Sequence, residues 1–199
     1  MEVLREPCTS LFVAMTGVGK THLCLDLIEN EYNNYFEYVV VICPTLYYNK
    51  TYLDRKWFWK DDNIILIDSF NDLNKILDMI GQILSGYSTL FILDDCISSK
   101  DFNKRRCPLI NLATSGRHRI HSLWILTQSY SAVPKDIRRQ AKQLFVWKLK
   151  EKSDVKLIDE ETNCIDSMSS AIKELGKSNR TFLFVRFGYP DYWRIVDRN

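Results

Sequence analysis

Leu11-Phe12-Val13-Ala14-Met15-Thr16-Gly17-Val18-Gly19-Lys20-Thr21 is the stretch whose reading decides the fold of this chain. An apolar run passes into a loop with two glycines, and Lys-Thr then opens a segment of amphipathic helical spacing. The spacing is that of the phosphate-binding pattern G-x-x-x-x-G-K-[ST], the P-loop, with Ala14 where the first glycine would stand. Such a loop turns backbone N–H groups inward over a helix N-terminus and makes a concave anion site. Thr16, Gly17, Val18, Gly19, Lys20, Thr21 and His22 are therefore the candidate nucleotide-binding residues. Lys20 would reach the terminal phosphates, and the Thr21 hydroxyl would ligate Mg²⁺. Ala14 keeps the loop small but removes a residue free to take positive φ, which leaves the geometry of the first turn open.

A chain of 199 residues, 46% hydrophobic and 26% charged, suits one α/β domain with a filled core and is short for two. The expectation is a single domain over residues 1–199. There is no apolar run of about eighteen residues, so no membrane span is expected. Glu2, Arg5 and Glu6 stand where a signal sequence would need an apolar core, which points to a soluble, intracellular protein. Cys8, Cys24, Cys43, Cys96, Cys107 and Cys164 are scattered without a C-x-x-C pair, and the only histidines are His22, His118 and His121. Reduced, buried thiols are favoured over a zinc site. The net charge of +2 hides a basic stretch from Lys100 to Lys156 that includes Lys104-Arg105-Arg106, Arg117, Arg119, Lys135, Arg138-Arg139, Lys142, Lys148, Lys150 and Lys152. It reads as a solvated surface or as a polyanion-binding face.

Hydrophobic periodicity gives the order of elements. Strands are expected at 10–14, 38–43, 63–67, 89–93, 121–126 and 143–149, with a terminal strand pair at 181–187 and 192–196. Tyr38-Val39-Val40-Val41-Ile42-Cys43 is a β-branched run of the kind covered on both faces in a parallel sheet. Helices are expected over 20–31, 73–84, 154–160 and 167–175, with Gly176 as a cap, a helix end at 109–113 and a short helix opened by Pro134. The segment 46–60 is aromatic and basic, either a nucleic-acid-facing loop or rings packed over the sheet. The alternation implies an α/β fold, a largely parallel sheet with helices on both faces and an antiparallel edge.

Further along, the apolar strand Thr89-Leu90-Phe91-Ile92-Leu93 ends in Asp94-Asp95. In the same sheet as a phosphate loop, Asp94 can hold Mg²⁺ beside Thr21, and Asp95 can orient and deprotonate an attacking water. A kinase would need one acid for the metal; the second argues for hydrolysis. Gln128, at the end of the next strand, is placed to contact the γ-phosphate or the lytic water, or else simply to cap a turn. Thr114-Ser115-Gly116-Arg117-His118-Arg119 carries a candidate arginine finger, with Arg117 the first choice and Arg119 the second, or a basic loop for DNA phosphates.

Taken together, the P-loop, Leu93-Asp94-Asp95, Ser115-Gly116-Arg117-His118-Arg119 and Leu126-Thr127-Gln128-Ser129-Tyr130 resemble the FtsK–HerA superfamily. The branch they look most like is the poxvirus-type DNA-packaging ATPases of large DNA viruses and Polinton/Maverick-like mobile elements, as do Ile42-Cys43-Pro44-Thr45 and Asn49-Lys50-Thr51-Tyr52. The resemblance covers residues 9–150 and departs from the usual pattern at Ala14. It implies an additional-strand P-loop ATPase in which the Gln128 strand lies between the P-loop strand and the Asp94 strand. It also implies ATP and Mg²⁺ as cofactors, and a ring-shaped homo-oligomer that drives double-stranded DNA into a capsid, with a capsid or terminal protein as partner. Carried over residue by residue, Lys20 and Thr21 bind nucleotide and Mg²⁺, Asp94 holds Mg²⁺, Asp95 activates water, Gln128 senses phosphate and Arg117 is the trans finger.

The expected function is thus an ATP-hydrolysing DNA translocase in a virus-infected or element-bearing cell. The alternatives are another P-loop ATPase such as a helicase or mobilisation protein, a non-hydrolysing nucleotide-binding relic, and a small-molecule kinase. The kinase leaves Gln128 and Asp95 without clear tasks.

Overall fold

The computed structural model describes residues 2–69, 72–96, 108–162, 167–175, 180–188 and 190–198. Its strands are β1 (Thr9–Val13), β2 (Tyr38–Ile42), β3 (Ile64–Ile67), β4 (Thr89–Asp94), β5 (His121–Thr127), β6 (Ala141–Val146), β7 (Thr181–Arg186) and β8 (Tyr192–Asp197). They form one eight-stranded sheet in the order β3-β2-β4-β5-β1-β6-β7-β8. The pairings from β3 through β6 are parallel, and β6-β7 and β7-β8 are antiparallel. β5 lies between β1 and β4, so the strand leading to Gln128 separates the phosphate-loop strand from the acidic strand.

Every residue of β1, β4 and β5 is buried. Helices cover both faces, which is why these segments read as unbroken apolar runs and not as alternating ones. On one face Leu11 and Val13 pack with α3 (Leu73–Ile83), α4 (Pro108–Ser115), α5 (Lys135–Arg138), α6 (Lys152–Glu161) and α7 (Met168–Glu174). On the other, Phe12 and Ala14 pack with α1 (Lys20–Asp26) and the aromatic segment that contains α2 (Lys50–Leu53).

Three differences from the sequence reading have physical causes. β6 stops at Val146 and does not run on to 149, because its partner β1 ends at Val13 where the phosphate loop turns away; the last bond is from the Trp147 N–H to the Val13 carbonyl, 3.1 Å. The helix over 20–31 changes character at Leu27–Glu31, a π-helical turn closed by the Tyr32 N–H on the Leu27 carbonyl at 2.8 Å. That wider turn accompanies the anchoring of Tyr32, whose hydroxyl donates to the Leu4 carbonyl and accepts from Gln143 while its ring meets Trp124. Within the segment 46–60, burial wins for Tyr52 and Phe58, whereas Tyr48 is 86% exposed and Tyr47 is half exposed. Arg55 is committed to Asp26 and Glu29, and the Trp57 indole N–H to Glu29.

Cys8, Cys24, Cys43 and Cys96 are buried free thiols. Lys100, Lys104-Arg105-Arg106, Cys107, Cys164 and Gly176 lie outside the described residues. Among the described residues, no helix is long and apolar enough to cross a membrane.

Candidate active site

The candidate site is built at the C-terminal ends of β1, β4 and β5. Two consecutive carbonyls at the end of β5 fasten its neighbours there: Thr127 accepts the Ala14 N–H at 3.1 Å, and Leu126 accepts the Asp95 N–H at 3.1 Å. The phosphate loop and the acidic pair are thereby held on either side of Gln128. Gly17 (φ 79) and Gly19 (φ 97) take the left-handed backbone that the loop needs and that a side chain resists. Ala14 is not among the positive-φ residues and is fully buried in the α1 face of the core. Position 14 therefore makes no demand for glycine; a methyl group fills space in the core.

Lys20 opens α1 and is only 5% exposed. Its ammonium donates to the carbonyls of Ala14 (2.9 Å) and Met15 (3.4 Å), which holds it across the loop. Burial lowers its pKa, while Asp95 and Asp94 pull the other way. Beside it, the Thr21 hydroxyl donates to Asp94 Oδ2 at 2.8 Å. Burial pushes the Asp94 carboxyl up to about 6; the Thr21 hydrogen bond opposes this, Asp95 adds to it, and Tyr52 and Lys20 oppose it. A buried carboxylate short of compensating charge gains most from a cation. A hydroxyl and a carboxylate in contact form an all-oxygen donor set suited to Mg²⁺, which takes few protein ligands and completes its shell with phosphate and water. The residues present fit the metal.

Asp94 has a partner that the sequence reading missed. The Tyr52 hydroxyl, fully buried, donates to the same Oδ2 at 3.0 Å. Asn49 prepares the approach by capping α2, its side-chain oxygen accepting the Thr51 N–H at 3.0 Å. In the sequence, Asn49-Lys50-Thr51-Tyr52 carries a family likeness and belongs to the aromatic and basic segment 46–60, but no local spacing signals a contact made 42 residues away. Groups that orient a metal ligand typically matter by about 10–100-fold in metal affinity. Tyr52→Phe is accordingly expected to raise the Mg²⁺ concentration needed for binding of a fluorescent ATP analogue by roughly ten-fold, at the low end of that range. Metal-free nucleotide binding should move little, and an unchanged Mg²⁺ titration would dismiss the role.

Asp95 is exposed and sits at φ 52. Gln128, also exposed, points its amide at Asp95 Oδ1, 3.5 Å away. A solvent-facing carboxylate beside a carboxamide, next to the buried Asp94 carboxylate, can hold and deprotonate a water for in-line attack on a bound phosphate.

Not every expected residue converges there. The His22 ring is hydrogen-bonded through Nδ1 to Asp26 at 3.0 Å and is more than half exposed, with its pKa lowered first by burial and then by Arg55 and Arg198. It does border a cavity of about 340 Å³ with Gly17, Val18 and Gly19, together with Trp147, Arg180 and Arg198, which the sequence reading did not single out. Arg117 lies in the 3₁₀ turn Gly116–Arg119 that precedes β5. That is the opposite end of a seven-residue strand from Gln128, roughly 20 Å away at the usual rise. Arg117 is exposed and borders a cavity of about 570 Å³ with Lys135, Arg139 and Lys142. Arg119 is directed to the Gly81 carbonyl at 3.4 Å. Neither arginine reaches the phosphate loop of its own chain.

The family model described as Poxvirus A32 protein matches residues 2–179. No curated protein matches the sequence. Among solved structures, the genome packaging NTPase B204 from Sulfolobus turreted icosahedral virus 2, in complex with AMPPCP, is similar with a TM-score of 0.72 at 13% identity, over 97% of this chain and 98% of that one. Its complex with sulfate gives a TM-score of 0.75 at 16% identity, over 97% and 96% of the two chains. The pCW3 conjugation coupling protein TcpA, with ATPγS, gives 0.66 at 12% identity, over 98% of this chain and 62% of that one. At such identities the likeness shows the fold.

Proposed function

The chain belongs to the Poxvirus A32 protein family, within the FtsK–HerA superfamily, and from that premise we propose that it is an ATP-hydrolysing translocase that drives the double-stranded DNA of a viral or mobile-element genome into a capsid. The observation that carries this reading is the 2.8 Å contact between Thr21 and Asp94, with Lys20 beside it and the Asp95–Gln128 pair alongside.

In this reading residues 1–199 act as one ATPase unit. The loop N–H groups from Thr16 to Thr21 receive the phosphates of ATP, and Lys20 leaves the carbonyls of Ala14 and Met15 for the β- and γ-oxygens. Thr21 and Asp94 would hold Mg²⁺, which when bound would supply positive charge against the phosphates. Asp95 takes a proton from the attacking water, and Gln128 fixes that water or the γ-phosphate. Catalysis is then positioning and charge neutralisation, without a covalent intermediate. Arg117 lies at the far end of β5 from the nucleotide of its own chain, so in this reading its guanidinium serves the nucleotide of a neighbouring copy, as a ring-shaped homo-oligomer would allow. A capsid or terminal protein would complete the machine in the infected or element-bearing cell.

The test is ATP hydrolysis with and without duplex DNA. Wild type should exceed Lys20→Ala by at least two orders of magnitude, since charge-stabilising groups at phosphoryl centres are worth roughly 10²–10³ or more. DNA stimulation should fall steeply as salt rises, because phosphate contacts release counterions. Wild-type activity equal to that of Lys20→Ala would end the case.

A further inference from the structure

β6 runs parallel to β1, so the chain leaves it on the same side of the sheet as the phosphate loop, carrying Lys148, Lys150 and Lys152 into the start of α6. Between that exit, α6 and α7 lies a groove of about 530 Å³. Lys148, Lys150, Lys152, Lys156 and Lys173 border it over an aliphatic floor that includes Ile172, and among the described residues no carboxylate lines it. Lys156 shares its charge with Glu160 at 3.4 Å, and Lys173 lies in the field of Asp159. Among the described residues, Lys148, Lys150 and Lys152 have no ion-pair partner. Glu151 stands between Lys150 and Lys152 in sequence but is not among the residues that line the groove, so the lysines that do line it repel one another until something anionic compensates them.

The lining also says what kind of anion. Among the described residues it has no aromatic ring on which an unpaired base could stack, as single-strand binders require, and no amide or guanidinium to read a base edge. Lysine stems can lie along the aliphatic floor with their ammonium groups outward, which suits contact with a phosphate backbone of any sequence.

The groove is also tied to the candidate site. Asp154 of α6 is buried and accepts the Tyr130 N–H at 2.9 Å and the Ser131 N–H at 3.0 Å. These residues directly follow Gln128 and Ser129, so the helix that bears Lys152 and Lys156 is fastened to the loop downstream of the phosphate-sensing position.

We propose that this lysine groove is the surface that grips the backbone phosphates of duplex DNA. The assignment rests on the translocase reading and adds to it the gripping surface. The fastening through Asp154 gives the grip a route by which contact at Gln128 can move it.

The experiment uses the full chain and a fluorescent duplex of mixed sequence, with anisotropy followed over a range of salt. Lys150→Gln with Lys152→Gln should weaken binding roughly ten-fold and reduce the slope of log affinity against log salt by about two, near 0.9 for each phosphate contact. Lys150→Arg with Lys152→Arg should bind as wild type does, and thermal midpoints should agree across all three proteins. DNA-free ATP hydrolysis should be the same in all, while stimulation by DNA is lost only in the glutamine pair. If wild type binds duplex and the glutamine pair binds it with the same affinity and slope, the groove assignment is overturned and the translocase reading stands. Tighter binding of single strands than of duplex overturns the assignment as well. A wild type that binds no duplex at low salt overturns both.

Discussion

Asp95→Asn should still bind ATP and Mg²⁺ and hydrolyse ATP roughly 10²–10⁴-fold more slowly, the range for loss of a positioned general base. The structure makes this a clean substitution. Asparagine tolerates the left-handed backbone at position 95 (φ 52) nearly as well as aspartate does, so the turn and its N–H bond to the Leu126 carbonyl should survive. The new side-chain oxygen can still accept the Gln128 amide that now approaches Oδ1 at 3.5 Å. What disappears is the capacity to take a proton, together with the negative charge that acts on Lys20 and Asp94. Asp94, the carboxylate proposed for the metal, is a separate and buried group held by Thr21 and Tyr52, so nucleotide affinity should fall far less than turnover. Single-turnover phosphate release, set beside fluorescent-nucleotide binding, separates the two quantities. Turnover within a few-fold of wild type would remove Asp95 from the chemistry and leave water activation to Gln128 or to the substrate itself.

A second large effect is expected at Arg117, in assembled protein only. Arg117→Ala should lower hydrolysis roughly 10³–10⁵-fold, as loss of a finger does, and leave nucleotide binding to a single chain intact. The reason is distance: Arg117 precedes β5 while the phosphate loop lies beyond the far end of that strand. Mixing supplies the decisive control. Arg117→Ala retains its own phosphate loop and Lys20→Ala retains its own finger, so mixed rings should regain a fraction of activity that neither variant has alone. An absence of rescue would point to a cis role, which a strand of seven residues does not permit without rearrangement. Arg119→Ala is the comparison, and it should be milder because Arg119 is turned toward the Gly81 carbonyl of α3.

The legible part of this molecule was the part in which chemistry and local sequence coincide. Val39 to Ile42 and Leu90 to Leu93 are buried on both faces, so they appear as unbroken apolar runs, and the P-loop spacing is a backbone requirement written directly into Gly17, Gly19, Lys20 and Thr21. Asp94 ends a strand of the same kind, and Asp95 and Gln128 follow such strands, so these positions can be found by walking to and off the strand ends. Contacts across space left no such mark. Tyr52 looked like one ring among many in an aromatic segment, and only the packing of α2 over the sheet brings its hydroxyl to Asp94. Asp154 sat in a helix with ordinary charge spacing, yet it is buried and anchors Tyr130 and Ser131. Strand ends were missed for a related reason: β6 stops where β1 no longer offers a partner, a fact about Val13 and not about the residues after Val146. Ala14 reads as a departure from a motif in one dimension and as a core methyl group in three.

One consequence follows from the backbone at Asp95. A non-glycine residue at φ 52 sits in a region that costs about 1 kcal/mol, somewhat less for aspartate than for most side chains. Glycine would relieve that cost, and would also delete the carboxylate. If Asp95 activates water as proposed, relief of backbone strain at this corner, less the entropy glycine adds to the unfolded chain, would come at the cost of turnover, and a lineage freed from that need would meet little resistance to losing it.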